Sequence, residues 1–184
     1  MPSKQKAKGS NWERDVARFL SDLYQESFIR APGSGAYVGG TNTVRKEVLH
    51  EGQVRAFKGD IVPGLSFPKF NAECKSYKDF PFHQLLTSDK VRMLEDWLDQ
   101  LMDAADEGDF NILIMKFNNK GKFVVTQADH QLTTHRQFKY NSPKHKTWLI
   151  SGFDDFWQRN ADRVKVLCAS VSYTHLTLPT TGSV

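Results

Sequence analysis

The segment from Lys58 to Lys75, KGDIVPGLSFPKFNAECK, places the strongest constraint on how this chain can fold. It contains two runs typical of β-strands, Gly59 to Pro63 and Lys69 to Tyr77. The runs are joined by residues that turn a chain instead of continuing a strand: Gly64, Ser66 and Pro68. The pattern predicts a β-hairpin.

Alternation along the second strand sorts its side chains into two sets. Asn71, Glu73 and Lys75 face one side, whereas Ala72 and Cys74 face the other, where they can enter a core. Two charges on one strand face are costly to bury. A carboxylate two positions from an ammonium group therefore predicts a solvated, charged pocket.

Asp60 lies near the start of the partner strand and would supply a second carboxylate to that pocket. Two carboxylates around one point bind a hard cation such as Mg²⁺, which keeps several waters and takes other oxygens from a phosphate. Mn²⁺ is a possible substitute. We expect Asp60 and Glu73 to bind the metal, which lowers the pKa of a bound water, and Lys75 to orient that water.

Four segments in a fixed order carry a resemblance to a known superfamily: KGSNWERDVARFL, IRAPGSGAY, KGDIVPG and NAECKSY. The aspartate followed by Glu-x-Lys resembles the PD-(D/E)xK nucleases, with Gly59 in place of the usual proline. Within that superfamily, the first half of the chain is similar to archaeal and phage Holliday-junction resolvases. Those proteins begin with a basic segment and a helix bearing an early glutamate, followed by an Arg-x-x-Gly-Ser-Gly loop.

The resemblance implies a restriction-endonuclease-like core and a set of site residues. It implies that Glu13 joins the catalytic residues Asp60, Glu73 and Lys75, and that Glu13 is an auxiliary metal ligand. It also implies that two residues of the loop, Arg30 and Ser34, face DNA phosphate. Further basic residues near the site are expected to bind nucleic acid: Arg45, Lys58 and Lys78.

Each of these residues also has a purely structural interpretation. Glu13 stands three positions after Ser10 and could complete a helix capping box. Glu73 and Lys75 could form an ion pair on an edge strand, and Asp60 could be a turn residue. The four motifs together favour a functional site, whereas for Glu13 both interpretations stay open. His83 and Gln84 are weaker candidates for the same site.

Composition limits the class of protein. The chain has 184 residues, of which 39% are hydrophobic and 25% charged, which suits one domain with a full core. The formal charge of +4 is compatible with a polyanionic partner. No run reaches the length of a membrane span, and the N-terminus lacks the apolar segment of a signal peptide. We expect no membrane partner and a cytoplasmic location in a bacterial, archaeal or phage-infected cell.

Three regions are expected along the chain. Residues 1–9 form a flexible basic arm, residues 10–169 the nuclease domain, and residues 170–184 a non-native tail. Val171 to Thr180, VSYTHLTLPT, can be written codon for codon as a transposase-adapter end used in library preparation. We therefore expect the tail to pack on nothing; the alternative is an ordinary Thr-rich tail.

The remaining patterns predict one α/β domain, with a mixed central sheet between the first helix and a second amphipathic helix. Cys74 and Cys168 are expected to be reduced core residues. The second helix is expected to be capped by Ser88, and Gln127 to Lys146 to form a surface loop. The other predicted elements are a helix from Ser10, strands at Ser27 to Ala31, Asn111 to Phe117, Lys122 to Thr126, Thr147 to Ile150 and Arg163 to Leu167, and a helix at Phe153 to Asn160.

The expected function is metal-dependent hydrolysis of DNA phosphodiesters at branched DNA, as the resolvase resemblance implies, in recombination or repair. Two symmetric nicks in a four-way junction require two active sites, so a homodimer is implied. Three alternatives remain open. They are a restriction- or repair-type nuclease on duplex or flap DNA, a catalytically silent DNA-binding module, and a structural phage protein with incidental basic charge.

Overall fold

The computed structural model describes residues 4–32 and 58–169. The helices are α1 (Lys4–Tyr24), α2 (Gln84–Thr87), α3 (Arg92–Asp103) and α4 (Phe153–Cys168), with a 3₁₀ turn at Ala128–His130. The strands are β1 (Ile29–Arg30), β2 (Ile61–Val62), β3 (Phe70–Tyr77), β4 (Phe110–Phe117), β5 (Gly121–Gln127), β6 (Gln137–Asn141) and β7 (Thr147–Gly152). Ser34, Arg45, the connection from Ala36 to Phe57 and the tail from Ser170 onward lie outside the described residues.

A five-stranded mixed sheet forms the centre of the domain, in the order β3-β4-β5-β7-β6. Strands β3 and β4 run parallel, in a register that pairs Glu73 with Leu113 and Lys75 with Met115. The other neighbours in this sheet run antiparallel. Strand β3 therefore lies at one edge of the sheet, and this edge carries the Glu-x-Lys motif.

The sheet separates two hydrophobic cores. On strand β4, Ile112 and Ile114 enter the core beneath α1 and α4, whereas Leu113 and Met115 enter the core beneath α3. A central strand that is buried on both faces has a nearly continuous apolar sequence, and β4 contains such a run, NILIMKF. The predicted α/β architecture, with the first helix and the second amphipathic helix on opposite faces, is confirmed.

Helix α1 packs through an apolar stripe in which Trp12, Val16 and Leu20 are buried. The helix begins at Lys4, within the segment predicted to be a flexible arm. Ser10 consequently lies inside the helix and cannot serve as its N-cap. The capping-box interpretation of Glu13 is therefore wrong.

The predicted hairpin is wrong in its pairing. Strand β2 pairs with β1, in an antiparallel register that matches Arg30 with Ile61. A backbone hydrogen bond of 2.8 Å from Asp60 N–H to the Ala72 carbonyl links this ribbon to β3. The connection between β2 and β3 turns inward at Phe67, whose ring is buried in the core. Burial of this ring stabilises the fold more than further strand pairing would.

The chain after β3 differs from prediction in three places. The predicted surface loop contains edge strand β6, and Ser88 does not cap α3, which begins at Arg92. The predicted last strand is part of α4, where Val164 and Cys168 are buried four positions apart while Val166 is exposed. That spacing is helical, and it continues the apolar stripe that begins at Phe153. Among helices in the described ranges, none has the length and hydropathy needed to cross a membrane.

Candidate active site

The Glu-x-Lys motif lies on the edge strand of the sheet, with both side chains largely shielded from solvent. Lys75 Nζ donates a 2.6 Å hydrogen bond to Glu73 Oε1 and also contacts Gln100 Oε1 on α3. Glu73 is 8% exposed, although the side chain carries a carboxylate. The alternating pattern predicted for this strand is confirmed, since Ala72 and Cys74 enter the opposite core. The lysine ammonium group is thus held by one carboxylate and one amide oxygen.

Asp60 reaches the same edge from the β1–β2 ribbon. Its carboxylate accepts a 2.8 Å hydrogen bond from the Cys74 backbone N–H, and its own N–H donates to the Ala72 carbonyl. The side chain is 4% exposed, so these bonds replace hydration that burial has removed. Asp60 is therefore fixed beside Glu73 by the backbone of β3.

The electrostatics of the site follow from this crowding of acids. Burial, and after it the charge of Glu73, raise the pKa of Asp60 to about 8. The Cys74 N–H opposes this shift, a weaker contribution from Glu13 raises the pKa, and Lys75 lowers it. The three carboxylates and the lysine therefore share one electrostatic environment.

Glu13 faces this environment from helix α1, where it is 7% exposed. Its Oε2 accepts a hydrogen bond from Arg30 Nε on β1. The guanidinium group predicted to meet DNA phosphate is thus paired with the auxiliary glutamate in this structure. Arg30 neutralises one of the three acids and connects α1 to the β1–β2 ribbon.

The donor set of the site suits a hard cation with few protein ligands. Two carboxylates, Asp60 and Glu73, lie at one strand edge, and Mg²⁺ is commonly bound by one or two carboxylates with waters and phosphate oxygens. A cation between them would offset the repulsion that raises the pKa of Asp60. Within residues 4–32 and 58–169, no three acidic, histidine or cysteine side chains are arranged to hold a metal ion. Glu13, which pairs with Arg30, is not assembled as a third ligand.

The other residues predicted to belong to the site or to bind DNA have different surroundings. Lys58 is paired with Asp106 and Asp109, and Lys78 is exposed on the surface after β3. His83 is exposed and Gln84 begins α2. Sequence reasoning missed Gln100, which lies on the polar side of the α3 stripe, where no spacing signal separates it from other surface residues.

Together, the mixed α/β sheet, the Glu-x-Lys motif at its edge and the adjacent buried aspartate define a nuclease core of the PD-(D/E)xK class. The chain belongs to the family described as phage putative PDDEXK endonuclease, whose family model matches residues 4–165. The match spans Glu13, Asp60, Glu73 and Lys75. Searches of curated proteins and of solved structures returned no match.

Proposed function

We propose that this protein hydrolyses DNA phosphodiesters with a divalent cation, Mg²⁺ or Mn²⁺, bound by Asp60 and Glu73. One observation carries the proposal: two buried carboxylates and a lysine ammonium group meet at the edge of β3. Family membership supports the nuclease class. We infer the metal and the DNA substrate from the chemistry of these three side chains.

Each residue has a separate role in the proposed reaction. The bound cation would activate a water and screen the phosphate charge. Lys75, held by Glu73 and Gln100, would donate a hydrogen bond to the attacking water or to a phosphate oxygen. Glu13, held by Arg30, would act as an auxiliary carboxylate near the two ligands.

The decisive assay measures nicking of a synthetic four-way junction by the wild type beside Lys75→Ala, in Mg²⁺ and in EDTA. Removing one electrostatic donor from an active site costs about 100-fold or more in rate, so we expect that loss with little change in DNA affinity. Lys144→Ala provides a matched control, because its side chain is 63% exposed on the β6–β7 hairpin. Equal nicking by Lys75→Ala and the wild type would exclude the catalytic role of the lysine.

The two proposed ligands need their own test. Asp60→Asn and Glu73→Gln should each weaken Mn²⁺ binding, measured by calorimetry, and abolish nicking. Circular dichroism should show a folded protein in both variants. Loss of folding together with loss of binding would assign these residues to structure instead of chemistry.

Branched DNA is the proposed substrate, and the resemblance of the first half of the chain to resolvases supports it. Symmetric nicking of a four-way junction would require two copies of the site, so we propose a homodimer acting in the cytoplasm. Junction, duplex and flap DNA compared in one cleavage assay would separate the substrates. Preference for plain duplex would defeat the resolvase assignment, and light scattering would test the dimer.

A further inference from the structure

An ion pair lies two residues before Asp60. Lys58 Nζ is 3.0 Å from Asp106 Oδ2 and closer to Asp109 Oδ2, in the loop that joins α3 to β4. The Lys58 side chain is 11% exposed and that of Asp109 is 6% exposed. This pair, Lys58 with Asp109, is therefore shielded from solvent, unlike the surface pairs of the protein.

The chain between the pair and Asp60 is held by close contacts with strand β3. Gly59 adopts a φ of +65°, and a Cβ placed there would lie 2.6 Å from the Ala72 carbonyl oxygen. Asp60 N–H donates to that same carbonyl, and Asp60 Oδ2 accepts from Cys74 N–H. Three consecutive residues are thus held by β3 and by the loop that precedes β4.

The acidic side of the pair is itself anchored. Asp109 Oδ2 accepts the Asp106 N–H at 2.7 Å, and the Asp109 carbonyl accepts a bond from the Asn111 side-chain amide. Asn111 Oδ1 in turn accepts from Asn71 Nδ2 on β3, two positions before Glu73. The pair therefore connects the segment that carries Asp60 to the strand that carries Glu73.

We propose that Lys58 is a positioning residue that fixes the Asp60 carboxylate beside Glu73, in place of the DNA contact expected from its charge. A phosphate contact would require the lysine to leave Asp109 as an unpaired, buried charge, which is strongly unfavourable. The catalytic consequence rests on the proposed function. The positioning itself does not.

Amide hydrogen exchange tests the positioning without any metal or DNA. In Lys58→Met, the amides of Asp60 and Cys74 should exchange about 10-fold faster, because local opening there becomes easier, while the Val124 amide in the central sheet stays unchanged. Lys58→Arg, which keeps the cation, should restore protection. Lys120→Met removes an exposed ion pair as a matched control. Unchanged exchange at Asp60 and Cys74 in Lys58→Met would overturn the proposal.

The variant Asp109→Asn distinguishes a positioning role of Lys58 from a DNA contact, because the two roles predict different changes in DNA affinity. This isosteric change keeps an acceptor for the Asp106 N–H and removes the nearer and more buried of the two carboxylate charges that hold Lys58. Positioning predicts that nicking at saturating DNA falls about 10-fold, the usual lower range for residues that orient metal ligands, with DNA affinity unchanged. A DNA contact predicts tighter DNA binding by Asp109→Asn, and a smaller salt slope for Lys58→Met. Tighter DNA binding by Asp109→Asn, together with a smaller salt slope for Lys58→Met, would refute the positioning role of Lys58.

A wild type that does not nick any DNA would defeat the nuclease mechanism, yet the exchange rates at Asp60 would still decide the positioning role. A wild type that nicks normally, with Lys58→Met equal to it in both exchange and rate, would defeat the positioning role alone.

Discussion

Replacing Asp60 with asparagine should stabilise the metal-free protein at alkaline pH while removing activity. Burial raises the pKa of Asp60 to about 8 in the folded protein, from an ordinary value of 3.8. Between these two values the folded protein keeps a proton that the unfolded chain has released. Unfolding therefore releases a proton, and the free energy of unfolding falls as the pH rises through this window.

The magnitude follows from the width of the window. One pKa unit corresponds to about 1.4 kcal/mol, so from pH 5 to pH 8 the wild type should lose about 4 kcal/mol that the variant keeps. Asparagine has no proton to lose, and its side-chain oxygen can still accept the Cys74 N–H. The free energy of unfolding of a small domain is typically about 5–15 kcal/mol, so a difference of this size should be easy to measure.

Urea unfolding in EDTA at pH 5, 6.5 and 8, followed by tryptophan fluorescence, provides the measurement. The difference in the free energy of unfolding between the variant and the wild type should grow with pH, while the m-value stays constant. Asp154→Asn, at an 83% exposed side chain, controls for the general effect of this substitution. A difference that stays constant from pH 5 to pH 8, or that shrinks, would show that burial and the charge of Glu73 do not keep Asp60 protonated.

The same experiment links stability to the proposed metal site. A cation that binds the ionised pair of Asp60 and Glu73 competes with the proton, so Mg²⁺ should stabilise the wild type more at pH 8 than at pH 5. The variant should show no such gain. An active site that destabilises its own fold is a common compromise between stability and function.

Three further predictions follow from single contacts. Gly59→Ala should destabilise the fold and abolish nicking, because φ is +65° and the new Cβ would lie 2.6 Å from the Ala72 carbonyl oxygen; urea unfolding and the nicking assay would show both. Tyr140→Phe should cost about 1–3 kcal/mol in urea unfolding, since the hydroxyl donates at 2.7 Å to the buried carboxylate of Glu95; an unchanged unfolding midpoint would contradict this. Cys168 should react with a thiol reagent only after unfolding, because burial raises the pKa of its thiol; rapid labelling of the native protein would disagree.

Local patterns accounted for much of the fold. Helical spacing predicted α1 and α3, and the predicted strands at Asn111 to Phe117 and Lys122 to Thr126 correspond to β4 and β5. Period-two alternation in β3 correctly separated Ala72 and Cys74 from Glu73. These features depend on residues close together in the chain, so the sequence alone carries enough information to predict them.

The pairing of β2 with β1 and the single helix α4 required the tertiary structure. A two-residue strand carries almost no periodic signal, and its pairing with β1 accompanies the packing of Phe67 against Phe28 in the core. In α4, a short alternating run resembled a strand, yet Val164 and Cys168 were buried by the same surface that covers Phe153. In α4, tertiary burial overrode the local preference for a strand.

The linear order of Glu13, Asp60, Glu73 and Lys75 resembles the PD-(D/E)xK pattern, and it was enough to indicate the nuclease class that the family match shows. The side chains that hold these residues in place became apparent only in the folded chain. Arg30, Gln100 and Asp109 contact Glu13, Lys75 and Lys58, which lie 17, 25 and 51 positions away along the chain. Contacts at such separations are set by how helices and strands pack, and a linear pattern of residues does not encode them.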